Sequence, residues 1–176
     1  MNCVLGILGD WTTHVANGWD LVGLVALIAA VLAFGFYGVR LSVTDVRMHL
    51  LPNKLLFPWM RWALLLLVIA GLTHGDPQRA LRTVAGGVVL FIGYLLLHLL
   101  SRSGMGMGDV KLAFVLGLYL GFASWWHVLW GTMFAFLLGA LVALVGIVAG
   151  RMGHKTAIPF GPFMIVGALL ALAIGS

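Results

Sequence analysis

With 176 residues, 62% of them hydrophobic and only 9% charged, the chain has the composition of an integral membrane protein rather than a soluble domain. Its net charge of +5 sits on Lys and Arg at the ends of apolar runs, with no polar face to gather them, so no nucleic-acid partner is expected. A single cysteine, Cys3, excludes a disulfide framework and a CxxC zinc site, and the first residues lack the basic region and cleavage site of a removable signal peptide.

Apolar runs follow at Leu21–Val39, Trp59–Thr73, Val84–Leu100, Val110–Phe122, Trp125–Ala149 and Ile158–Ile174. Each is long enough, or nearly so, to cross a bilayer. They predict an all-α polytopic membrane protein of about six transmembrane helices, in one membrane domain over residues 1–176. The second and fourth runs are short and would need a tilt or a thinned bilayer. Trp59, Trp62, Trp125, Trp126 and Trp130 lie near run ends, where interfacial anchors are expected. Gly117 with Gly121 and Gly146 with Gly150 are GxxxG pairs, read as internal packing sites rather than a dimer seam.

The first, third and fifth loops carry Arg40, Arg47, Lys54, Arg61, Arg102, Lys111, Arg151 and Lys155. The opposite side carries Arg79 and Arg82, and the N-terminal tail has Asp10 and Asp20 but no Lys or Arg. The positive-inside rule then places those three loops in the cytoplasm and both termini outside.

All five acidic residues are Asp, and a carboxylate beside a bilayer is costly and usually functional. Two of them, Asp45 and Asp109, fall on the cytoplasmic side. Asp45 follows the first apolar run, and Leu50-Leu51-Pro52-Asn53 then turns the chain back toward the membrane. Its bland reading is an interfacial Asp loosely paired with Arg47 or His49. Asp109 opens the fourth run behind Gly106 and Gly108, glycines that remove bulk beside the carboxylate. Its bland reading is a helix cap that satisfies free N–H groups and complements the helix dipole.

Two carboxylates sharing a low-dielectric site cannot both ionise readily, and one keeps a proton. Such a pair can activate a water with one member and protonate a leaving amine from the other. Other hydrolytic designs lack their parts. HExxH is impossible without Glu, and no Gly-x-Ser-Gly nucleophile loop exists. His14, His49, His74, His98, His127 and His154 are scattered without metal-ligand spacing, so no metal or cofactor is expected. The run from Gly104 to Gly108 lacks the register of a phosphate loop. Ile158-Pro159-Phe160-Gly161-Pro162-Phe163 opens the last run on the same side. Its two prolines and glycine free backbone groups that must be packed or line a cavity, or they simply start a helix.

Three segments together resemble the bacterial type IV prepilin peptidase family, GxGD-type intramembrane aspartic proteases. Asp45 followed by Leu50-Leu51-Pro52-Asn53 is similar to the family's first aspartate with its apolar pair, Pro and Asn. Gly106-Met107-Gly108-Asp109-Val110-Lys111-Leu112 resembles its GxGDxK segment, and Pro159-Phe160-Gly161-Pro162 its Pro-Phe-Gly-Pro segment. The resemblance implies an endopeptidase that removes the basic leader of prepilins or pseudopilins at the cytoplasmic face. It implies Asp45 and Asp109 as the catalytic pair. Gly106, Gly108, Lys111, Pro52, Asn53, Pro159, Gly161 and Pro162 would bind substrate or shape the site. Presenilin-like proteases fit less well, since Thr44 precedes Asp45 and no Pro-Ala-Leu occurs. Bifunctional members carry a CxxC module linked to N-methylation, and this chain, lacking CxxC, is expected to be a peptidase only. A small proton-coupled transporter using the same aspartates as relay groups is the competing reading, and a membrane scaffold the third.

Overall fold

The structure, a computed structural model, describes residues 18–48, 51–100, 106–149 and 159–174. Among the described residues there are six helices and no strand: α1 (Gly18–Met48), α2 (Asn53–Thr73), α3 (Pro77–Leu100), α4 (Met107–Ala123), α5 (Trp125–Val148) and α6 (Gly161–Ala173). α1, α2, α3 and α5 are long and apolar enough to cross a membrane, while α4 has 17 residues and α6 has 13. The chain is an all-α polytopic membrane protein.

Three boundaries differ from the apolar runs, each for a local reason. α1 continues past Val39 to Met48 because its buried stripe continues: Leu27, Ala30, Phe34, Gly38, Leu41 and Asp45 recur at helical spacing. Asp45 therefore belongs to the helix and does not follow it. α2 starts at Asn53, ahead of Pro58, which the helix accommodates at the cost of one backbone hydrogen bond. Its first turn is closed by the Pro52 carbonyl, which accepts from the N–H groups of Leu55 and Leu56 at 3.0 and 3.2 Å. The second run is thus no longer short, at 21 residues. α3 begins at Pro77, where proline's fixed φ suits a first turn. The Asp76 carboxylate accepts from the Arg79 N–H at 2.9 Å, and Gly75 at φ +72° makes the preceding turn.

α4 is the centre of the molecule. It is buried on nearly all sides from Asp109 to Phe122, which is what a helix apolar all round requires. It packs against α2, α3, α5 and α6, and reaches α1 through Tyr119, whose hydroxyl donates to the Ala30 carbonyl at 2.9 Å. The closest approach is to α3. A Cβ on Gly117 would lie 2.5 Å from the Gly86 carbonyl oxygen, and one on Gly121 2.6 Å from that of Arg82. The first GxxxG pair is therefore an internal seam, as expected; Gly150 of the second lies outside the described residues. At the far end of α4 the Arg82 guanidinium donates to the carbonyls of Gly121, Phe122 and Ala123 at 2.8, 3.0 and 3.1 Å. Those are carbonyls that a helix C-terminus leaves without partners.

One expected anchor is not an anchor. Trp59 is fully buried, with its ring stacked on Tyr37 and its Nε1–H donated to the Tyr119 hydroxyl at 3.2 Å. The early start of α2 moves Trp59 away from the helix end and turns it inward. Trp62, Trp125, Trp126 and Trp130 are exposed, as lipid-facing residues should be.

The α3–α4 seam makes a testable demand. Gly117→Val should abolish recovery of folded protein in detergent, because backbone stands where its Cβ must go. Gly93→Ala, on the same hairpin but with open space at its Cβ, should melt close to wild type by intrinsic fluorescence.

Candidate active site

The two sequence-flagged carboxylates come together at one end of the bundle. Asp45, on the buried stripe of α1, is 5% exposed, and Asp109, in the first turn of α4, is 8% exposed. α6 joins them: the Gly161 N–H donates to Asp45 Oδ2 at 3.0 Å. A Cβ on Gly161 would stand 2.7 Å from that oxygen and 3.6 Å from Leu112 Cδ2, one helical turn beyond Asp109. Glycine is thus required for the α6 backbone to approach the Asp45 carboxylate. Pro162 occupies the first turn of α6, so the plain helix-start reading holds for it, and Pro159 lies just ahead of that helix.

Asp45 is buried against Gly161, whereas Arg47 is exposed and His49 lies outside the described residues. Asp109 does help start its helix: Gly106 is the N-cap residue, and its backbone hydrogen-bonds to the Asp109 carboxyl. That cap is one contribution among several. Asp109 lies ahead of the apolar stretch 110–122, and burial pushes its carboxyl up to about 6. The charge of Asp45 acts in the same direction, and the Gly106 hydrogen bond opposes both.

The two glycines of the segment have different jobs. Among the described residues the nearest heavy atom to a Cβ on Gly106 is Asp109 Oδ2 at 3.7 Å, so none of them crowds the carboxyl there. At Gly108 a Cβ would meet Leu51 Cβ at 2.7 Å, so this glycine seats the Leu51-Pro52 turn on α4. Lys111 points along the same contact. Its Nζ donates to Asn53 Oδ1 at 2.9 Å and lies 5.0 Å over the Phe57 ring, tying α4 to the start of α2. Pro52 closes the first turn of α2, as described above. Among the described residues no three His, Cys, Asp or Glu side chains converge as a metal site would require.

One polar residue near this end was missed from the sequence. Tyr94 of α3 is buried and within electrostatic reach of Asp109. The one available signal was its position seven residues after Gly87, which keeps it on the face that α3 turns to α4.

A helical membrane protein that brings two carboxylates together at one end of its bundle defines the class, and the chain itself settles the family. Residues 32–148 match the type IV leader peptidase family, and the chain belongs to it. It is 32% identical over 170 residues to the prepilin leader peptidase/N-methyltransferase of Burkholderia pseudomallei, covering 93% of this chain and 54% of that protein. The protein of the same name from Dickeya chrysanthemi is 31% identical over 151 residues, 85% of this chain and 52% of that one. The Bacillus subtilis protein is 27% identical over 140 residues, 78% and 52% respectively. The chain spans about half the length of these curated relatives. No solved structure matches it.

The raised Asp109 carboxyl has a consequence for stability. Its folded value of about 6 lies above the ordinary 3.8, so the folded protein holds this proton more tightly than the unfolded chain. Wild type should therefore lose stability as pH rises from about 4 to about 6, and then level off. Asp109→Asn escapes that loss: its melting temperature in detergent should match wild type near pH 4 and exceed it by several degrees above pH 6.

Proposed function

We propose that this chain is a membrane aspartic endopeptidase that cuts the basic leader from type IV prepilin-like or pseudopilin proteins. The cut would lie at the cytoplasmic face of the bacterial inner membrane, with both termini outside and residues 1–176 acting as one peptidase domain. The observation that carries the reading is the convergence of Asp45 and Asp109, from α1 and α4, beside the first turn of α6. The relatives' names supply the substrate class, and the basic residues on the loops at this end supply the orientation. The N-methyl transfer in those names is not carried over to this chain.

The chemistry follows from the unequal surroundings of the pair. The Gly161 N–H, at the positive end of α6, favours the ionised form of Asp45. Burial and the Asp45 charge favour the protonated form of Asp109. Asp45 takes a proton from a water as its oxygen bonds to the scissile carbonyl carbon. Asp109 gives its proton to the amine as the C–N bond breaks, and the proton on Asp45 then restores the pair. Gly106 leaves room for the peptide beside Asp109. Lys111, through Asn53, and Gly108, through Leu51, hold the start of α2 against the site. A proton relay for transport is disfavoured, since both aspartates stand at one end of the bundle and not midway.

The test is cleavage of a prepilin-type substrate with an intact basic leader by purified protein. Asp45→Asn and Asp109→Asn should each lower turnover by roughly 10³-fold or more while leaving the protein folded. Appreciable cleavage by either single variant would sink the paired-carboxylate mechanism. Gly161→Ala probes the same site from the α6 side. Its methyl group displaces the Asp45 carboxylate from its N–H donor, so turnover should fall by about 10²-fold in a protein that still folds. Wild-type turnover in that variant would show that the contact is incidental.

A further inference from the structure

The N–H that reaches Asp45 belongs to the peptide unit joining Phe160 to Gly161. A peptide unit is planar and rigid, so its N–H points where its carbonyl and the flanking Cα atoms dictate. The carbonyl of this unit accepts from the Met164 N–H at 3.2 Å and closes the first turn of α6. That bond fixes the unit within α6, but not the start of α6 against the rest of the bundle.

Two contacts with α5 supply the second constraint. Further along α6, a Cβ on Gly167 would lie 2.6 Å from the Ala135 nitrogen and 2.9 Å from the Gly131 carbonyl oxygen, so the two backbones touch there. At the start of α6 the contact is a ring in a notch. A Cβ on Gly139 would stand 2.9 Å from Phe160 Cε2 and 3.4 Å from its Cδ2, so the ring fills the room that this glycine leaves.

Other aromatic rings close in on Phe160. Its centroid lies 5.4 Å from that of Phe136 on α5, 6.4 Å from Tyr94 on α3 and 6.5 Å from Phe163 on α6. A ring confined in this way passes any displacement on to the backbone that carries it. The next backbone atom is the Gly161 nitrogen. Its 3.0 Å bond to Asp45 Oδ2 has little slack, since a retreat of about 0.5 Å would take it out of hydrogen-bonding range.

We propose that Phe160 is a positioning residue for the carboxyl pair, its ring in the Gly139 notch setting the direction of the N–H that holds Asp45. The effect on turnover rests on the peptidase reading; the effect on Asp45 does not.

Phe160→Leu empties the notch without a clash, and Gly139→Ala pushes the ring out of it. Each should lower kcat about tenfold in the prepilin cleavage assay, with KM near wild type. In the double variant the smaller side chain makes room for the methyl group, so kcat should recover to the level of Phe160→Leu or above. Infrared difference spectra of 13C-Asp-labelled protein, taken against Asp45→Asn, give a readout that packing alone would not move. The Asp45 carboxylate band should shift in both single variants, because one oxygen loses its donor. An unmoved band or an unchanged kcat in Phe160→Leu overturns the proposal, as does a double variant no better than Gly139→Ala. If Gly139→Ala yields no folded protein, Phe160→Leu decides by the same two readouts. Should wild type cut no prepilin-type substrate, the peptidase reading fails, and the band alone decides whether Phe160 positions the donor to Asp45. Gly131→Ala is the control, since its methyl group meets the Leu120 side chain on the same helix α5 but away from Phe160. It should lose stability, with kcat per folded molecule and the Asp45 band unchanged.

Discussion

The backbone contact between α3 and α4 is the constraint on which the rest of the structure depends. Glycines at 86, 87, 117 and 121 let the two helices approach until carbonyl oxygens meet Cα atoms, a distance that any side chain would forbid. Within a bilayer, apolar side chains gain little from leaving lipid, so close van der Waals fit carries more of the association. Arg82 adds a polar lock at the far end by occupying carbonyls that α4 would otherwise leave bare. Together these fix how deep α4 sits and, with it, the height of Asp109.

The aspartates themselves are expensive to bury, and the surrounding backbone shows how the cost is met. Asp45 receives an N–H at the start of α6, and Asp109 a backbone hydrogen bond from Gly106 at the start of α4. Both donors come from helix beginnings, where N–H groups have no partner within the helix and the dipole favours negative charge. Burial first, and the neighbouring Asp45 charge second, push the Asp109 carboxyl up. Stability and chemistry here draw on the same geometry.

Much of this was legible in the chain. Apolar runs indicated the helices, and the scarcity of acids singled out Asp45 and Asp109. The misreadings share a cause. The ends of α1, α2 and α3 were placed where hydropathy falls, yet Arg40 to Met48, Asn53 to Pro58 and Pro77 to Thr83 continue as helix past those limits. Helix ends are decided by caps and by burial on one face, and polarity alone marks only where lipid stops. Trp59 was misplaced for that reason: with α2 starting at Asn53 it faces Tyr37 and Tyr119 instead of the interface.

The sequence by itself determined the solvent this protein needs, its all-helical build and the two carboxyl groups able to do acid–base work, because those follow from residue chemistry and local periodicity. Tertiary structure decided what each small residue is for. Gly108 serves the Leu51 turn, Gly106 leaves space at Asp109, and Gly161 brings an N–H to Asp45. Lys111 bonds Asn53 on α2, and Tyr94 packs on Phe136 and Phe160. A glycine carries no side chain to announce its partner, and a buried tyrosine reads like any aromatic core residue. Their roles exist only once α1, α3, α4 and α6 are brought within hydrogen-bonding distance of one another.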